Sequence, residues 1–254
     1  MTLLDSFRLD GKVVIVTGAS SGLGVAFAHG FAEAGADVVL GARRLEKMAD
    51  TAALVEAAGR RTLTHKTDVA DPEQCQSLVD AAIAEFGRVD VLINNAGVGT
   101  AVPATRETPE QFRAVIDINL NGSYWMAQAC GRVMTSGSSI INIASVLGLT
   151  TGGLPQAAYS ASKAGVMGLT RDLAQQWGSR KGIRVNALAP GFFASEMTDD
   201  LAPGYLENIV LPRTPMGRLG DSAELAATAV WLASPAGGYV TGQTIVVDGG
   251  LTIA

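Results

Sequence analysis

The sequence predicts a single α/β domain: a doubly wound parallel sheet of about seven strands with helices on both faces. Three observations carry this expectation. Short β-branched runs alternate with amphipathic stretches almost from end to end, as repeated βαβ units require. No linker, charge run, low-complexity tract or internal repeat divides the 254 residues. Finally, 48% hydrophobic against 17% charged residues suits strands covered on both faces. The expected organisation is one domain over 1–254, with a substrate-covering segment around 192–216.

The elements follow in order. KVVIVTG, from Lys12, reads as the first strand, and Leu23, Phe27 and Phe31 mark the apolar face of a helix that Gly35 stops. ADVVLGA is the second strand, followed by a helix that Gly59 closes. RTLTHKTDV is the third. Asp71 then caps a helix with Pro72 at its first position, and Gly87 ends it. VDVLINNAG is the fourth strand, and Thr108 with Gln111 makes a capping box around Pro109. SSIINIAS, GIRVNALAP and QTIVVDGG complete the set, with right-handed crossovers between parallel neighbours.

Composition excludes several functions. A net charge of −5, with no cluster of Lys and Arg, argues against nucleic acid. Cys75 and Cys130 sit in apolar helical patterns and read as buried free thiols in a reducing cytosol. No Cys/His spacing suggests a metal. Residues 13–32 hold no charge, yet TGASSG breaks the run in its middle, so strand, loop and helix is the reading and not a membrane span. The N-terminal MTLLDSFRLDGK has acids and no continuous apolar stretch, unlike a signal peptide.

In such a sheet, ligands bind beyond the carboxyl ends of the strands, where strand order switches. The distinctive residues fall there. TGASSGLG sets Gly18, Gly22 and Gly24 in a G-x-x-x-G-x-G pattern, with Ser20, Ser21 and Leu23 between them. The spacing differs from the usual dinucleotide fingerprint, but glycine allows the same close approach and the following helix N-terminus attracts phosphate. At the end of the second strand, Ala42 stands where an acid would bind a ribose 2′-hydroxyl, followed by Arg43 and Arg44. Arginine suits a 2′-phosphate, so NADP(H) is expected over NAD(H), with Arg43 the first candidate and Arg44 the second. Asp68, followed by Val69, could accept from an adenine amino group or serve as a turn residue. Asn95, Ala96 and Gly97 form a small-residue turn suited to a ribose.

AAYSASKAG places Tyr159 and Lys163 four residues apart on one helical face, among small side chains. A phenol ordinarily titrates near pH 10 and is a poor acid or base at neutrality, whereas a nearby ammonium lowers that value. Ser145 ends the fifth strand and Asn119 lies in INLNG. Together with TGASSGLG, NNAG, YSASK, APG and the C-terminal GQTIVVDGG, these residues resemble the short-chain dehydrogenase/reductase family over essentially the whole chain. The resemblance implies a Rossmann-type fold and a catalytic tetrad of Asn119, Ser145, Tyr159 and Lys163. In it, Tyr159 would pass a proton to or from the substrate oxygen, and Ser145 would hydrogen-bond that oxygen. Lys163 would lower the phenol pKa and hold the nicotinamide ribose, and Asn119 would support Lys163 through a water. Pro190 and Gly191 would pass under the nicotinamide, with Phe193 close by. Ser195 stands where the family often has a threonine for the carboxamide.

The segments bordering the reacting centre carry no paired cations, so a neutral, partly apolar ketone or secondary alcohol is the expected substrate. Two alternatives stay open: reduction of 3-oxoacyl groups on an acyl carrier protein, and oxidation of polyols or sugar acids. For a carrier, the stretch before the fifth strand offers Arg132 alone, with Arg180 and Lys181 on the following helix. An alternative of another class is a catalytically silent cofactor-binding regulator. The resemblance also implies a homotetramer packed through the helices bearing residues 108–134 and 156–180, with no nucleic-acid or membrane partner.

Overall fold

The computed structural model describes residues 2–194 and 204–254. Among them, seven strands form one sheet: β1 (Val13–Thr17), β2 (Asp37–Ala42), β3 (Thr62–Lys66), β4 (Val91–Asn94), β5 (Ser139–Ile143), β6 (Arg184–Pro190) and β7 (Thr244–Val247). Their order is β3-β2-β1-β4-β5-β6-β7, with every neighbouring pair parallel. Each sequence run therefore holds its strand, but the strands are shorter. The last residues of most runs leave the ladder to build loops.

Side chains alternate across the sheet, as the pleat demands. Val14, Val16, Val38, Leu40 and Ile93 face α1 (Leu23–Glu33), α2 (Met48–Ala57) and the helix Ser222–Ala233, here α7, through Phe27, Phe31, Val55 and Leu225. Val13, Ile15, Val39, Leu92 and Ile140 face the other layer through Leu78, Met126, Cys130 and Leu173. That layer contains α3 (Pro72–Phe86), α5 (Gly122–Val133) and α6 (Ala157–Lys181). Both faces of β1, β2, β4, β5 and β6 are dry, which explains their near-continuous apolar runs, whereas the edge strands β3 and β7 are only half-buried. No helix among the described residues is long and apolar enough to cross a membrane.

The capping signals act as read. Asp71 accepts from the backbone of Glu73 and Gln74, and Thr108 makes a full capping box with Gln111. The helix after Thr108 departs from a regular pattern. Its first part, α4 (Pro109–Ile116), runs into a π-helical turn at Asp117–Asn121 before α5 resumes. Such wide turns hold an extra residue and favour functional positions. Asn119 is in this one.

Arg184 ties the sheet to the end of α7. Its guanidinium donates to the carbonyls of Leu232 at 2.5 Å and Ala233 at 3.0 Å, with longer bonds to Val240 and Ser234. These are the orphan carbonyls that a helix end must satisfy. Arg184→Met is expected to lower unfolding free energy by about 1–3 kcal/mol, because it takes the donor from the Ala233 carbonyl, whereas Ser139, Asn186 and Gly237 still donate to Leu232, Val240 and Ser234. Urea unfolding followed by circular dichroism checks this; a loss under about 0.5 kcal/mol would show that the cage is dispensable.

Candidate active site

The sheet order changes direction at β1, so the loops after β1 and β4 diverge and leave a crevice at their carboxyl ends. A single cavity of about 520 Å³ fills it, within the usual size for small-molecule and cofactor sites. Its wall runs from Gly18, Ser20, Ser21, Gly22 and Leu23 through Arg43 and Arg44, past Asp68 and Val69, along Asn95, Ala96 and Gly97, to Ser145, Tyr159, Lys163, Pro190, Gly191 and Phe193. Residues spread over the chain thus meet in one place. Gly24 and Asn119 stand behind this wall, and Ser195 lies outside the described residues.

At the glycine turn, Gly18 has a φ of +66° and a Cβ there would lie 2.8 Å from the Ala96 Cα. A Cβ on Gly24 would sit 2.2 Å from the Gly18 carbonyl oxygen. These glycines let the β1 and β4 loops and the start of α1 close upon each other. Gly22 precedes α1 with no side-chain cap, which leaves the first backbone N–H groups available for an anion. The cradle therefore fits a dinucleotide pyrophosphate.

The two amides of NNAG have structural partners. Asn94 donates to the Ser123 carbonyl and the Asn142 side chain, both at 2.9 Å. Asn95 donates to the carbonyls of Thr17 at 2.9 Å and Gly18 at 3.2 Å. Asn95 thus pins the glycine turn, and lines the cavity beside Ala96 and Gly97. Arg44 donates to the hydroxyls of Ser20 at 3.2 Å and Ser21 at 2.9 Å, whereas Arg43 is exposed at the rim. Asp68 acts in its turn by accepting from Ala70 N at 3.1 Å, and it also faces the cavity. Thr67, not singled out from sequence, lines the same end.

The reacting groups are packed in the middle. Tyr159, Ser145 and Lys163 are all buried. The Ser145 hydroxyl accepts from Leu147 N at 3.1 Å and stands near enough to the Tyr159 phenol to draw its pKa down. Lys163 Nζ lies 5.7 Å from the centroid of the Tyr159 ring and donates to the Ile143 carbonyl at 2.7 Å. Lys163 is expected from sequence to lower the phenol pKa; the influences that stand out in this geometry are burial and Ser145. Burial pushes the phenol above its ordinary value, and Ser145 draws it back only in part. The same burial lowers the Lys163 ammonium to about 8.

Asn119 is fully buried. Its Oδ1 accepts from Val98 N at 2.9 Å, and its Nδ2 donates to Val98 O at 2.9 Å and to Ser162 Oγ at 3.0 Å. Ser162 in turn donates to the Tyr159 carbonyl at 2.7 Å. Asn119 therefore reaches the catalytic helix through Ser162, a link that no sequence spacing announces. A Cβ on Gly97 would fall 3.3 Å from Asn119 Oδ1 and 3.4 Å from Lys163 Nζ, so these groups flank the same bare turn.

Beyond Tyr159 the cavity wall becomes apolar, with Val98, Val146, Leu147, Leu154 and Phe192, interrupted by Gln156. Tyr205 closes over this end, donating to the Gly152 carbonyl at 2.5 Å with its ring 6.0 Å from that of Phe192. Of the segment expected to cover the substrate, residues 195–203, including Met197 and Leu201, lie outside the described residues.

Comparison with known proteins adds relatives of full length. Residues 18–252 match a family described as enoyl-(acyl carrier protein) reductase. The 2-dehydro-3-deoxy-D-gluconate 5-dehydrogenase of Dickeya dadantii is 42% identical over 252 residues, covering 98% of each chain. Among solved structures, a short-chain type dehydrogenase/reductase from Mycobacterium marinum superposes with a TM-score of 0.94 at 33% identity, covering 100% of both chains. A gluconate 5-dehydrogenase from Burkholderia cenocepacia J2315, solved with NADP and tartrate, gives 0.91 at 38% identity, again over 100% of both.

Proposed function

The chain belongs to the short-chain dehydrogenase/reductase family, and from that premise we propose that it interconverts a neutral ketone and its secondary alcohol with NADP(H), using Asn119, Ser145, Tyr159 and Lys163. The carrying observation is that the buried Tyr159 phenol, Ser145 and Lys163, whose Nζ lies 5.7 Å from the phenol ring centroid, share one cavity with the glycine cradle. A bound nicotinamide supplies or receives the hydride. In reduction, Tyr159 gives its proton to the carbonyl oxygen while Ser145 donates to the same atom, stabilising charge as it develops. In oxidation, the phenolate takes that proton back. Lys163 would hold the nicotinamide ribose, and Asn119 keeps this stretch of α6 in register through Ser162.

Arg43 and Arg44 at the rim, with Ser20 and Ser21 beside Arg44, support a 2′-phosphate site. A relative solved with NADP is consistent with that preference. Replacing both arginines by Ala is expected to raise the KM for NADPH about 10–100-fold and to leave that for NADH within about threefold. Equal losses with the two cofactors would remove the argument.

The sugar-acid relative keeps a polyol or sugar-acid dehydrogenase as a second reading. Reduction of carrier-bound 3-oxoacyl groups is the third reading, and of the three cations named for docking a carrier only Arg180 is exposed without a bond to another described residue. Arg132 bonds Gln76 and Gln128, and Lys181 donates to the Gly131 carbonyl. NADPH oxidation across a panel of ketones, and NADP reduction with the alcohols, tests the enzyme. Cofactor binding without turnover in either direction would instead mark a silent regulator.

The same reading includes a homotetramer in the cytoplasm. Phe112 on α4 is 38% exposed, and Tyr124, Trp125, Leu169 and Trp177 on α5 and α6 are only partly buried. These helices offer apolar surface for partner subunits; a monomer in light scattering would reject it. The two buried free cysteines suit a reducing compartment.

A further inference from the structure

We propose that Gln156 determines specificity: its side-chain amide binds a second, uncharged oxygen one or two carbons from the reacting centre, so the substrate is a hydroxyketone or polyol and not a plain ketone or an anion. This rests on the oxidoreductase reading above and narrows its substrate.

Four observations converge. Gln156 lies three residues before Tyr159, and residues at that spacing meet on one helical face. Both line the cavity. Second, Gln156 occupies the N-cap position of α6 yet makes no capping bond, unlike Asp71, Thr108 and Asp221, which cap their helices through their side chains. Among the described residues, nothing else bonds its amide. A group able to donate twice and accept is thus left to whatever enters the cavity.

Third, its neighbours are Val146, Leu147, Leu154 and Phe192, so this amide supplies the direction in an otherwise apolar wall. The Tyr205 hydroxyl near this end is already committed to Gly152 O. A ligand that lacks a second oxygen would leave the amide desolvated and unpaired, which is costly.

Fourth, the charges are elsewhere. Among the described residues lining the cavity, the cations are Arg43 and Arg44 at the adenosine end and Lys163 beside the Tyr159 ring. Lys163 Nζ is committed to the Ile143 carbonyl at 2.7 Å, so a substrate carboxylate would find no uncommitted cation in this part of the wall, a cost that a hydroxyl avoids.

The test compares acetoin, butan-2-one and acetoacetate with NADPH in wild type, Gln156→Leu and Gln156→Met. Wild type is expected to favour acetoin over butan-2-one by about 10–100-fold in kcat/KM, and both variants to collapse that ratio to within about threefold. Acetoacetate is expected to be at least tenfold poorer than acetoin. Calorimetric binding of butane-2,3-diol to the NADPH-loaded protein, a dead-end complex, gives a readout free of turnover, and should weaken about tenfold or more in both variants. An unchanged acetoin to butan-2-one ratio in the variants, or a wild-type preference for acetoacetate, overturns the proposal. If no ketone turns over at all, the oxidoreductase reading fails separately; diol binding that persists unaltered in the variants then rejects the role of Gln156 as well.

Discussion

Tyr159→Phe is expected to lower kcat/KM by about 10²–10⁴-fold in both directions, the full range of a lost acid–base group. The change removes one oxygen and keeps the ring that packs beside Lys163, so folding should survive and the loss can be assigned to proton transfer. The pH dependence carries more information than the size. Burial holds the phenol above its ordinary value, so at neutral pH it stands protonated. Reduction needs that protonated form and should run at a constant rate through neutrality. Oxidation needs the phenolate and should climb about tenfold per pH unit until the phenol titrates. Initial rates from pH 6 to 10 in both directions, for parent and variant, check this. A variant that keeps the parental slope would move the acid–base role to another group.

Lys163→Met is expected to cut turnover by at least about 100-fold and yet to stabilise the cofactor-free protein at pH 7. The ammonium is buried and donates to the Ile143 carbonyl, and its pKa falls to about 8. In the unfolded chain it titrates at 10.5. Between these values the unfolded state binds the extra proton, so native stability rises with pH across that window. Below about 8 the cost of holding the buried charge is present in full. Methionine of similar length removes that cost but forfeits the bond to Ile143, leaving a net gain of about 1–2 kcal/mol. Thermal melts at pH 7 and pH 10 test it: the parent should close the gap to the variant at the higher pH. A variant less stable than the parent at pH 7 would show that the charge is well compensated and would undo this account.

Both outcomes describe a site that gives up stability for chemistry, a common feature of functional positions. They also separate what is local from what is not. The strands, the helix ends at Asp71 and Thr108, and the bare turns at Gly18 and Gly24 were legible because alternation, capping and the room of glycine act over a few residues. The pairing of Tyr159 with Lys163 was legible for the same reason, since one helical turn sets it. The family pattern then brought Ser145 and Asn119 to the same place.

Other features were hidden in the sequence. The π-helical turn at Asp117–Asn121 has no mark within INLNG, and without it the bond from Asn119 to Ser162 is not foreseeable. Asn95 read as part of a turn suited to a ribose, and it does line the cavity, but the bonds of its side chain to the β1 loop were not foreseeable. Arg43 read ahead of Arg44, yet the serine contacts belong to Arg44. By itself the sequence determined the order of elements, the glycine cradle and the residue types of the reacting centre. Only the tertiary structure decided the protonation of Tyr159 and Lys163, the partners of Asn119 and the freedom of Gln156. Desolvation and hydrogen-bond availability are sums over neighbours from distant strands and helices, which no short stretch of chain contains.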